Sequence, residues 1–545
     1  MSATLCTAES AAISAILVRV AVLKSIATGK AFTPDERQRT AIEHVHGPML
    51  VVAGAGTGKT TVLTRRIANL IGEGHARPDE ILALTYTDNA AREMRERVSS
   101  ELGEPEAKGL RCKTFHAYCN ELLIQNGKKF GVLDDKDLWI YLRRRIRELE
   151  LQHFIRAASL TKFLDDLLDF FRRCHDELAG PDKYADYVQC LERNEYPIPR
   201  VTKSKDAATI SDEEVLARCR EIASVYAKVE RMLQQDNLGT FGHMITRAYD
   251  LLRSDPDLMA AEQKRARFIL VDEFQDANLA QVKILQQLAG AERNIFAVGD
   301  PDQAIYQFRG ASSAAFTLFH TQFPGATMAV LDKNRRSTSP ILRAAFALIS
   351  KNPDIGASAR GKAKDPTAFP YRRSPLVSAR DEEAIEQGDP LPRVPVETVV
   401  LAAKEAEPSD LIAQIRQRKR QLRCRWKDFA VLYRQHSHRD DLVEALTEEG
   451  IPFSIENMDV LDTAEVRDLL ACLGAVVSSS DGASLFRVAA LPQFAVDPEK
   501  LRAGMQALPR DSANSGLATV LGQIGGGSAV LEAIAQSREE ISQTA

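Results

Sequence analysis

Residues 53–60 read Ala-Gly-Ala-Gly-Thr-Gly-Lys-Thr, a run of small residues that ends in a lysine and a hydroxyl. Small residues let backbone N–H groups close around a phosphate, the lysine adds a positive charge, and the hydroxyl can bind Mg²⁺. The run follows an apolar segment and precedes a helical pattern, which is the context that a phosphate-binding loop requires. We therefore predict that Thr60 is a ligand of Mg²⁺ and that ATP is bound by Ala53, Gly54, Ala55, Gly56, Thr57, Gly58, Lys59, Thr60 and Thr61.

Two adjacent carboxylates, Asp272 and Glu273, follow the apolar run Phe268–Val271. One carboxylate at a strand end can hold Mg²⁺ beside a bound phosphate, and a second can polarise the attacking water as a general base. For this pair alone, a solvated pair of acids at a strand end is the alternative. Because the same chain carries a phosphate-binding loop, we favour catalysis, with Asp272 as the metal ligand and Glu273 as the base.

Four apolar runs are strand-like and end in turns that carry polar or charged residues. They lie at residues 49–53, 81–85, 268–271 and 295–298, with helical patterns between them. This alternation is typical of an α/β fold with a parallel sheet and helices on both faces.

The remaining segments predict an insertion and a second α/β unit. Residues 118–255 are helical and charge-rich, which indicates a helical insertion in the first α/β domain. A second strand pattern begins at residues 328–331 and resumes at 399–402 and 429–433. Between these strands, residues 352–395 are rich in proline, glycine and charge, which predicts a surface loop or a partly disordered insert.

Composition indicates a multidomain globular protein. The chain has 545 residues, more than one hydrophobic core supports, and its hydrophobic fraction of 44% is ordinary. With a net charge of −4, any nucleic acid must be met by local basic patches. The eight cysteines lack zinc-binding spacing, and the apolar residues 11–23 are too few to cross a bilayer. We therefore expect reduced thiols, a cytoplasmic location and no membrane contact.

Residues 272–276, Asp-Glu-Phe-Gln-Asp, are similar to motif II of the UvrD/Rep helicases of superfamily 1, and other motifs follow in that family's order. The resemblance implies two RecA-like P-loop parallel-sheet motor domains with helical insertions, the second motor domain being incomplete. The implied division is an N-terminal extension (1–30), a first motor domain (31–117 and 256–327) around a helical insertion (118–255), a partial second motor domain (328–490) and the start of a second helical insertion (491–545).

The resemblance assigns further residues to ATP. Segments that resemble the Q motif, motif III and motif IV are found at residues 32–38, 298–311 and 331–338. Gln38 would read the adenine edge through one donor and one acceptor. Gln303 would sense the γ-phosphate, and Arg336 would stabilise the transferring phosphoryl group. Arg335 stands where the family commonly has a tyrosine stacked on adenine, and a guanidinium can stack as well.

Motifs Ia, Ib and III of the family contact DNA, and similar segments lie at residues 85–91, 113–118 and 298–311. The resemblance therefore assigns DNA contacts to Tyr86, Thr87, Thr114, Phe115, His116, Tyr306, Phe308 and Arg309. The aromatic rings are candidate platforms for base stacking. A place in the core is the alternative for Tyr86, and a structural role is the alternative for His116. Phe308 stands where the family usually has tryptophan, so its stacking surface is smaller.

Together the motifs imply an ATP-dependent DNA helicase or translocase that uses ATP and Mg²⁺. It would move 3′ to 5′ on single-stranded DNA and act at junctions with duplex DNA. No later segment resembles motif V or VI, so we expect a truncated motor that a C-terminal segment or a partner chain completes. The alternative function is an inactive or regulatory ATP- and DNA-binding fragment. An unrelated P-loop ATPase would not carry the ordered motifs from Gln38 to Arg336.

Overall fold

The chain divides into two compact units, residues 29–397 and residues 398–545 together with 1–28. The computed structural model describes residues 18–19, 33–154, 160–199, 211–304, 315–352, 371–391, 394–435, 437–455, 464–478, 481–506 and 513–544. No helix in these stretches is both long and apolar enough to cross a membrane.

The secondary structure alternates between short strands and helices. The strands are β1 (Val18–Arg19), β2 (Met49–Ala53), β3 (Ile81–Thr85), β4 (Arg111–Thr114), β5 (Gly131–Leu133), β6 (Leu238–Thr240), β7 (Phe268–Val271), β8 (Ile295–Gly299), β9 (Thr327–Leu331), β10 (Lys333–Asn334), β11 (Val377–Ser378) and β12 (Ala430–Val431). The helices of residues 29–397 are α1 (Glu36–Glu43), α2 (Lys59–Gly72), α3 (Asp88–Leu102), α4 (Glu104–Ala107), α5 (Phe115–Gln125), α6 (Asp135–Arg144), α7 (Leu160–Asp176), α8 (Pro181–Glu192), α9 (Asp212–Gln235), α10 (Phe241–Ser254), α11 (Pro256–Arg265), α12 (Leu279–Leu288), α13 (Ala315–Gln322), α14 (Ser339–Ile349) and α15 (Ala379–Glu386). Those of residues 398–545 are α16 (Glu407–Leu422), α17 (Ser437–Glu448), α18 (Ala464–Val477), α19 (Gly482–Ala489), α20 (Pro498–Gln506), α21 (Ala513–Leu521) and α22 (Gly527–Thr544).

Six parallel strands form the central sheet of residues 29–397, in the order β4-β3-β7-β8-β2-β9. Every residue of β2, β3, β7 and β8 is buried. Such continuous apolar strands are expected when helices cover both faces of a parallel sheet. The predicted α/β fold is confirmed. Because β7, β8 and β2 are neighbours, the loops that follow them leave the sheet at one edge.

Alternate residues of β2 face two different cores, as the two-residue period of a strand requires. Leu50 and Val52 pack with α5, α10, α12 and α13 on one face of the sheet. Met49, Val51 and Ala53 pack with α1, α2 and α3 on the other. Buried apolar contacts therefore fix β2, and the loop that follows it, from both sides.

The edge strand β9 differs from the sequence prediction. We expected residues 328–331 to begin a second sheet, but β9 pairs with β2, with Met49 opposite Thr327 and Ala53 opposite Leu331. An apolar run predicts a strand but not its partner, which explains the error. The residues after Leu331 consequently leave the sheet beside the phosphate-binding loop. The loop expected at 352–395 is also partly regular, since it contains β11 and α15, and β11 pairs in parallel with β10.

The helical insertion is shorter than residues 118–255. Helices α6, α7 and α9 share a core of their own, which includes Leu142, Leu164 and Tyr226. By contrast, Leu122 of α5 and Ala248 of α10 are buried in the core of the sheet. The parallel pair β5–β6 stands at the base of the insertion. Helical periodicity does not tell which core a helix joins, so the sequence assigned α5 and α10 to the insertion.

Residues 398–545, together with β1, form a mainly helical unit. Its described part contains one strand pair, in which β1 and β12 run antiparallel. Helices α16 and α17 pack around Ile412 and Leu446, and α18 to α22 pack around Leu501 and Leu521. The strand predicted at residues 399–402 is irregular backbone, and the one predicted at 429–433 is reduced to β12.

Candidate functional site

The loop between β2 and α2 is shaped by its glycines. Gly56 and Gly58 have φ angles of +77° and +89°, which only glycine adopts readily. A Cβ atom on Gly56 would lie 2.7 Å from Asn334 Nδ2 and 2.7 Å from the Cβ atom of Arg336. Gly58 is the N-cap of α2, which is 14 residues long. The loop therefore presents the unbonded N–H groups of a helix start, a ready site for an anion.

Lys59 and Glu273 form an ion pair at this helix start. The Nζ atom of Lys59 lies 2.8 Å from Oε2 of Glu273. The same carboxylate oxygen accepts a hydrogen bond from Nε2 of Gln275 over 2.7 Å. The Glu273 backbone is left-handed, with φ of +47°, a conformation that costs energy for a residue other than glycine and is concentrated at functional sites. The predicted phosphate ligand and the predicted base are thus in direct contact.

The two predicted metal ligands also meet. Thr60 lies near enough to the buried carboxylate of Asp272 to lower its pKa, and the backbone N–H of Glu273 donates to Asp272 Oδ1 over 2.9 Å. Burial, and then the charge of Glu273, raise the pKa of Asp272 to about 6. A hydroxyl beside a carboxylate is a set of hard oxygen donors that suits Mg²⁺, and a bound cation would hold the carboxylate ionised.

Gln275 is a site residue that the sequence analysis missed. Its side chain is buried, and it links two motifs, because Nε2 donates to Glu273 and Oε1 accepts from the backbone N–H of Asp300 over 2.9 Å. A Cβ atom on Gly299 would lie 2.5 Å from Gln275 Oε1, so the glycine makes room for this link. Gln303 donates to Asp300 Oδ2 over 2.6 Å. The predicted γ-phosphate sensor is therefore connected to the base through Asp300 and Gln275.

The segment after β9 contacts the phosphate-binding loop through Asn334, a second missed residue. The buried Asn334 donates from Nδ2 to the carbonyl of Ala55, and its Oδ1 accepts from the backbone N–H groups of Arg336 and Ser337 over 2.9 and 2.6 Å. This amide fixes the backbone of Arg336, whose side chain is exposed beside Gly56. The predicted phosphoryl-stabilising arginine thus lies next to the loop.

Gln38 is completely buried, at 0% exposure, on the first turn of α1. Its Nε2 donates to the carbonyl of Thr57 over 2.9 Å. Its Oε1 accepts from the backbone N–H of Asp35 over 3.2 Å and from Nη2 of Arg335 over 3.3 Å. The two residues that were predicted to contact adenine, Gln38 and Arg335, are thus hydrogen-bonded to each other, and Gln38 is also bonded to the phosphate-binding loop.

Tyr86, the first predicted DNA contact, is partly exposed and packs against the sheet core. Its ring centroid lies 5.8 Å from that of Phe115, and its hydroxyl donates to Oε1 of Gln281 over 3.2 Å. Burial raises the pKa of the Tyr86 hydroxyl well above its usual range. Phe115 is itself buried, so its ring packs against Tyr86 from the side of the core.

The other predicted DNA contacts that the structure describes are two helix caps and the partly buried ring of His116. Thr87 accepts from the backbone of Ala90 over 3.2 Å and caps α3, and Thr114 accepts from Ala117 over 3.1 Å and caps α5. The His116 ring is nearly perpendicular to that of Phe241, a half-exposed aromatic that the sequence analysis missed, and the two ring centroids lie 5.7 Å apart. Burial lowers the pKa of His116. Tyr306, Phe308 and Arg309 lie outside the described residues.

Two family models match the chain. The model of the UvrD/REP helicase N-terminal domain matches residues 35–324, more than half of the 545 residues. The chain belongs to the UvrD/Rep helicase family. The model of the UvrD-like helicase C-terminal domain matches residues 329–505. The resemblance noted in the sequence motifs is therefore confirmed.

Curated relatives in the UvrD/Rep family include helicases named PcrA and Rep. The chain is 29% identical to the ATP-dependent DNA helicase PcrA of Leuconostoc citreum over 468 residues, 84% of this chain and 54% of the relative. It is 29% identical to PcrA of Bacillus subtilis (strain 168) over 476 residues, 85% of this chain and 56% of the relative. The ATP-dependent DNA helicase Rep of Buchnera aphidicola is 28% identical over 472 residues, 85% of this chain and 64% of the relative. The match thus spans little more than half the length of the PcrA proteins.

A second polar cluster lies in the helical part of this UvrD/Rep protein. His175, Glu230 and His243 bring one ligand atom each within 4.8 Å of one another. However, the backbone N–H of Thr240 donates to His243 Nδ1 over 3.1 Å, which places the proton of a neutral ring on Nε2, 3.0 Å from Glu230. A metal ion needs that nitrogen deprotonated, and the charge of Arg247 already acts on Glu230. We therefore assign the cluster to hydrogen bonding between helices.

Proposed function

We propose that this chain hydrolyses ATP to move 3′ to 5′ along single-stranded DNA, as the motor of a UvrD/Rep helicase. The observation that carries the proposal is the ion pair between Lys59 and Glu273, beside the contact of Thr60 with Asp272. A phosphate ligand, a base and two oxygen donors for a cation then meet at one helix start. This is the set of groups that phosphoryl transfer to water requires.

The proposed reaction begins when the phosphates of ATP attract the ammonium of Lys59 away from Glu273. The freed carboxylate accepts a proton from the attacking water, whose oxygen bonds to the γ-phosphorus while the bond to the bridging oxygen of ADP breaks. Lys59 and Arg336 stabilise the charge that spreads over the transferring group. Mg²⁺ held by Thr60 and Asp272 would neutralise the phosphate oxygens when bound. Gln275 keeps the Glu273 carboxylate oriented through its hydrogen bond.

Coupling to DNA would run through the residues that follow Asp272. Gln275 connects Glu273 to Asp300, at the start of the segment that resembles motif III. Gln281 holds the hydroxyl of Tyr86, a proposed stacking platform. A change at Glu273 on ATP binding would therefore reach Asp300 directly through Gln275. We propose single-stranded DNA and its junctions with duplex as the partners, and the cytoplasm as the location.

The proposal is tested by ATP hydrolysis of the purified chain with Mg²⁺, with and without a single-stranded oligonucleotide. We expect hydrolysis that rises when single-stranded DNA is added and rises less with blunt duplex of equal phosphate concentration. Lys59→Ala should remove hydrolysis in both conditions. A rate indifferent to single-stranded DNA would contradict the coupling, and a wild-type rate no higher than that of Lys59→Ala would contradict the enzyme.

A further inference from the structure

The part of the nucleotide site that is assigned to the nucleobase, here called the base corner, contains side chains that already hydrogen-bond to one another. A carboxamide oxygen has two lone pairs. For Oε1 of Gln38 these receive the backbone N–H of Asp35, at 3.2 Å, and Nη2 of Arg335, at 3.3 Å. The amino group of Gln38 is directed to Thr57 O, at 2.9 Å. With the residue fully buried, its acceptor atom is saturated from within the protein.

Arg335 is fixed at both of its ends. Its backbone N–H donates to the carbonyl of Gly56 over 2.8 Å, which anchors it on the phosphate-binding loop. Its Nη2 lies 3.4 Å from the carbonyl of Thr33 and 3.5 Å from Oδ2 of Asp35. The side chain keeps 31% exposure. The guanidinium is therefore a positioned, partly open plane between the loop and the residues before α1.

These contacts determine which nucleobase the base corner can recognise. The amino group of adenine is a donor and needs an acceptor, but Gln38 Oε1 is already saturated, and Arg335 offers donors alone. Guanine presents two acceptors, O6 and N7, which suit a guanidinium. The face of a guanidinium stacks on any base. Nothing in this pair of side chains favours adenine over guanine.

We propose that the nucleotide site accepts purine nucleoside triphosphates without selecting adenine, and that Arg335 determines this specificity by occupying the acceptor of Gln38. The inference rests on the proposed function, because it concerns the base of the nucleotide that the same site hydrolyses. It goes beyond that function by setting the substrate class to ATP and GTP alike.

The test is equilibrium binding of ATP and GTP, each measured by displacement of a fluorescent ATP analogue in the presence of Mg²⁺. The wild-type dissociation constants are expected to agree within about tenfold, whereas a site that hydrogen-bonds its substrate specifically rejects an analogue by about 10⁴-fold. Arg335→Tyr keeps a stacking face and frees the Gln38 oxygen, so the preference for ATP should rise by about tenfold or more. Arg343→Tyr makes the same change at an exposed position of α14 and should leave the ratio unaltered.

The outcomes separate this inference from the proposed function. If the wild type binds ATP more than about tenfold tighter than GTP, the inference is wrong while the ATPase proposal stands. If the wild type binds both nucleotides but Arg335→Tyr leaves their ratio unchanged, Arg335 does not set the specificity. If neither nucleotide binds the wild type, the nucleotide site itself is wrong, and both proposals fail together.

Discussion

The ammonium of Lys59 lies 2.8 Å from the Oε2 atom of Glu273, so the phosphate-binding loop and the proposed base neutralise each other. The two residues are 214 positions apart in the chain, and the neighbouring strands β2, β8 and β7 bring them together. A carboxylate paired in this way is a poor base. The pair must therefore open before hydrolysis, and phosphate oxygens that compete for Lys59 provide the means.

Lys59→Ala should weaken ATP binding by about 30-fold or more, because losing one partner of a close charge contact costs about 2–5 kcal/mol. The measurement is displacement of a fluorescent ATP analogue from the purified chain. Lys108→Ala, which removes an exposed lysine of the same unit, is the control and should bind normally. Unchanged affinity in a folded Lys59→Ala protein would remove the loop from the nucleotide site.

Gln275→Met should lower kcat more than it changes KM for ATP, because Gln275 orients Glu273 without touching the nucleotide. Stimulation by single-stranded DNA should fall as well, since the contact to Asp300 is lost with it. We expect a loss of stability of about 1–3 kcal/mol, the cost of an unpaired buried N–H. Gln286→Met on the exposed side of α12 is the matched control. Normal kcat and normal stimulation would show that the link is only structural.

Tyr86→Ala should weaken binding of single-stranded DNA by about 1–3 kcal/mol, the value of one base stack. Tyr86→Phe keeps the ring and loses only the hydrogen bond to Gln281, so most of the affinity should remain. Fluorescence anisotropy of a labelled oligonucleotide at fixed salt measures both variants. If Tyr86→Ala lowers thermal stability but leaves DNA affinity unchanged, the tyrosine is a core residue only.

The buried carboxyl group of Asp176 should make the free energy of unfolding depend on pH. It accepts a hydrogen bond from Asn278 Nδ2 over 2.6 Å, and burial raises its pKa to about 7. A raised pKa means that the folded state binds the proton more tightly than the unfolded state, so the stability contributed at low pH is lost as the pH rises through about 7. Asp176→Asn cannot ionise and should gain stability relative to the wild type between about pH 5 and pH 8.

Urea unfolding at about pH 5 and at about pH 8 measures the difference in stability between Asp176→Asn and the wild type. Asp186→Asn, at an exposed position of α8, is the control and should follow the wild type. A difference between Asp176→Asn and the wild type that stays constant across the two pH values would mean that Asp176 does not titrate in this range.

The sequence predicted the centre of the site because its strands are nearly continuous apolar runs that end in the reactive residues. The prediction that Thr60 and Asp272 bind one Mg²⁺ already implied that the residues after β2 and β7 lie close together. The edge strand β9 was misplaced, because an apolar run does not identify the strand with which it pairs. Helices α5 and α10 were placed in the insertion for a similar reason, since the apolar face of a helix does not indicate which hydrophobic core it packs against.

Gln275 and Asn334 were missed because their roles depend on hydrogen bonds between distant segments. Gln275 joins Glu273 to Asp300, and Asn334 joins Ala55 to residues 336 and 337. Signals were nevertheless present. Each residue is a carboxamide inside a quoted motif, and Gly299 and Gly56 stand opposite them, where a side chain would collide.

The central claim is that Glu273 is the base that Lys59 releases, and single-turnover hydrolysis of ATP by Glu273→Gln tests it most directly. Binding should remain or tighten, because the competing carboxylate charge is gone, while the rate with saturating single-stranded DNA should fall by about 100-fold or more. Glu73→Gln, an exposed residue after α2, should match the wild type in both measurements. Hydrolysis by Glu273→Gln at the wild-type rate would contradict the account, since the water would then lose its proton elsewhere.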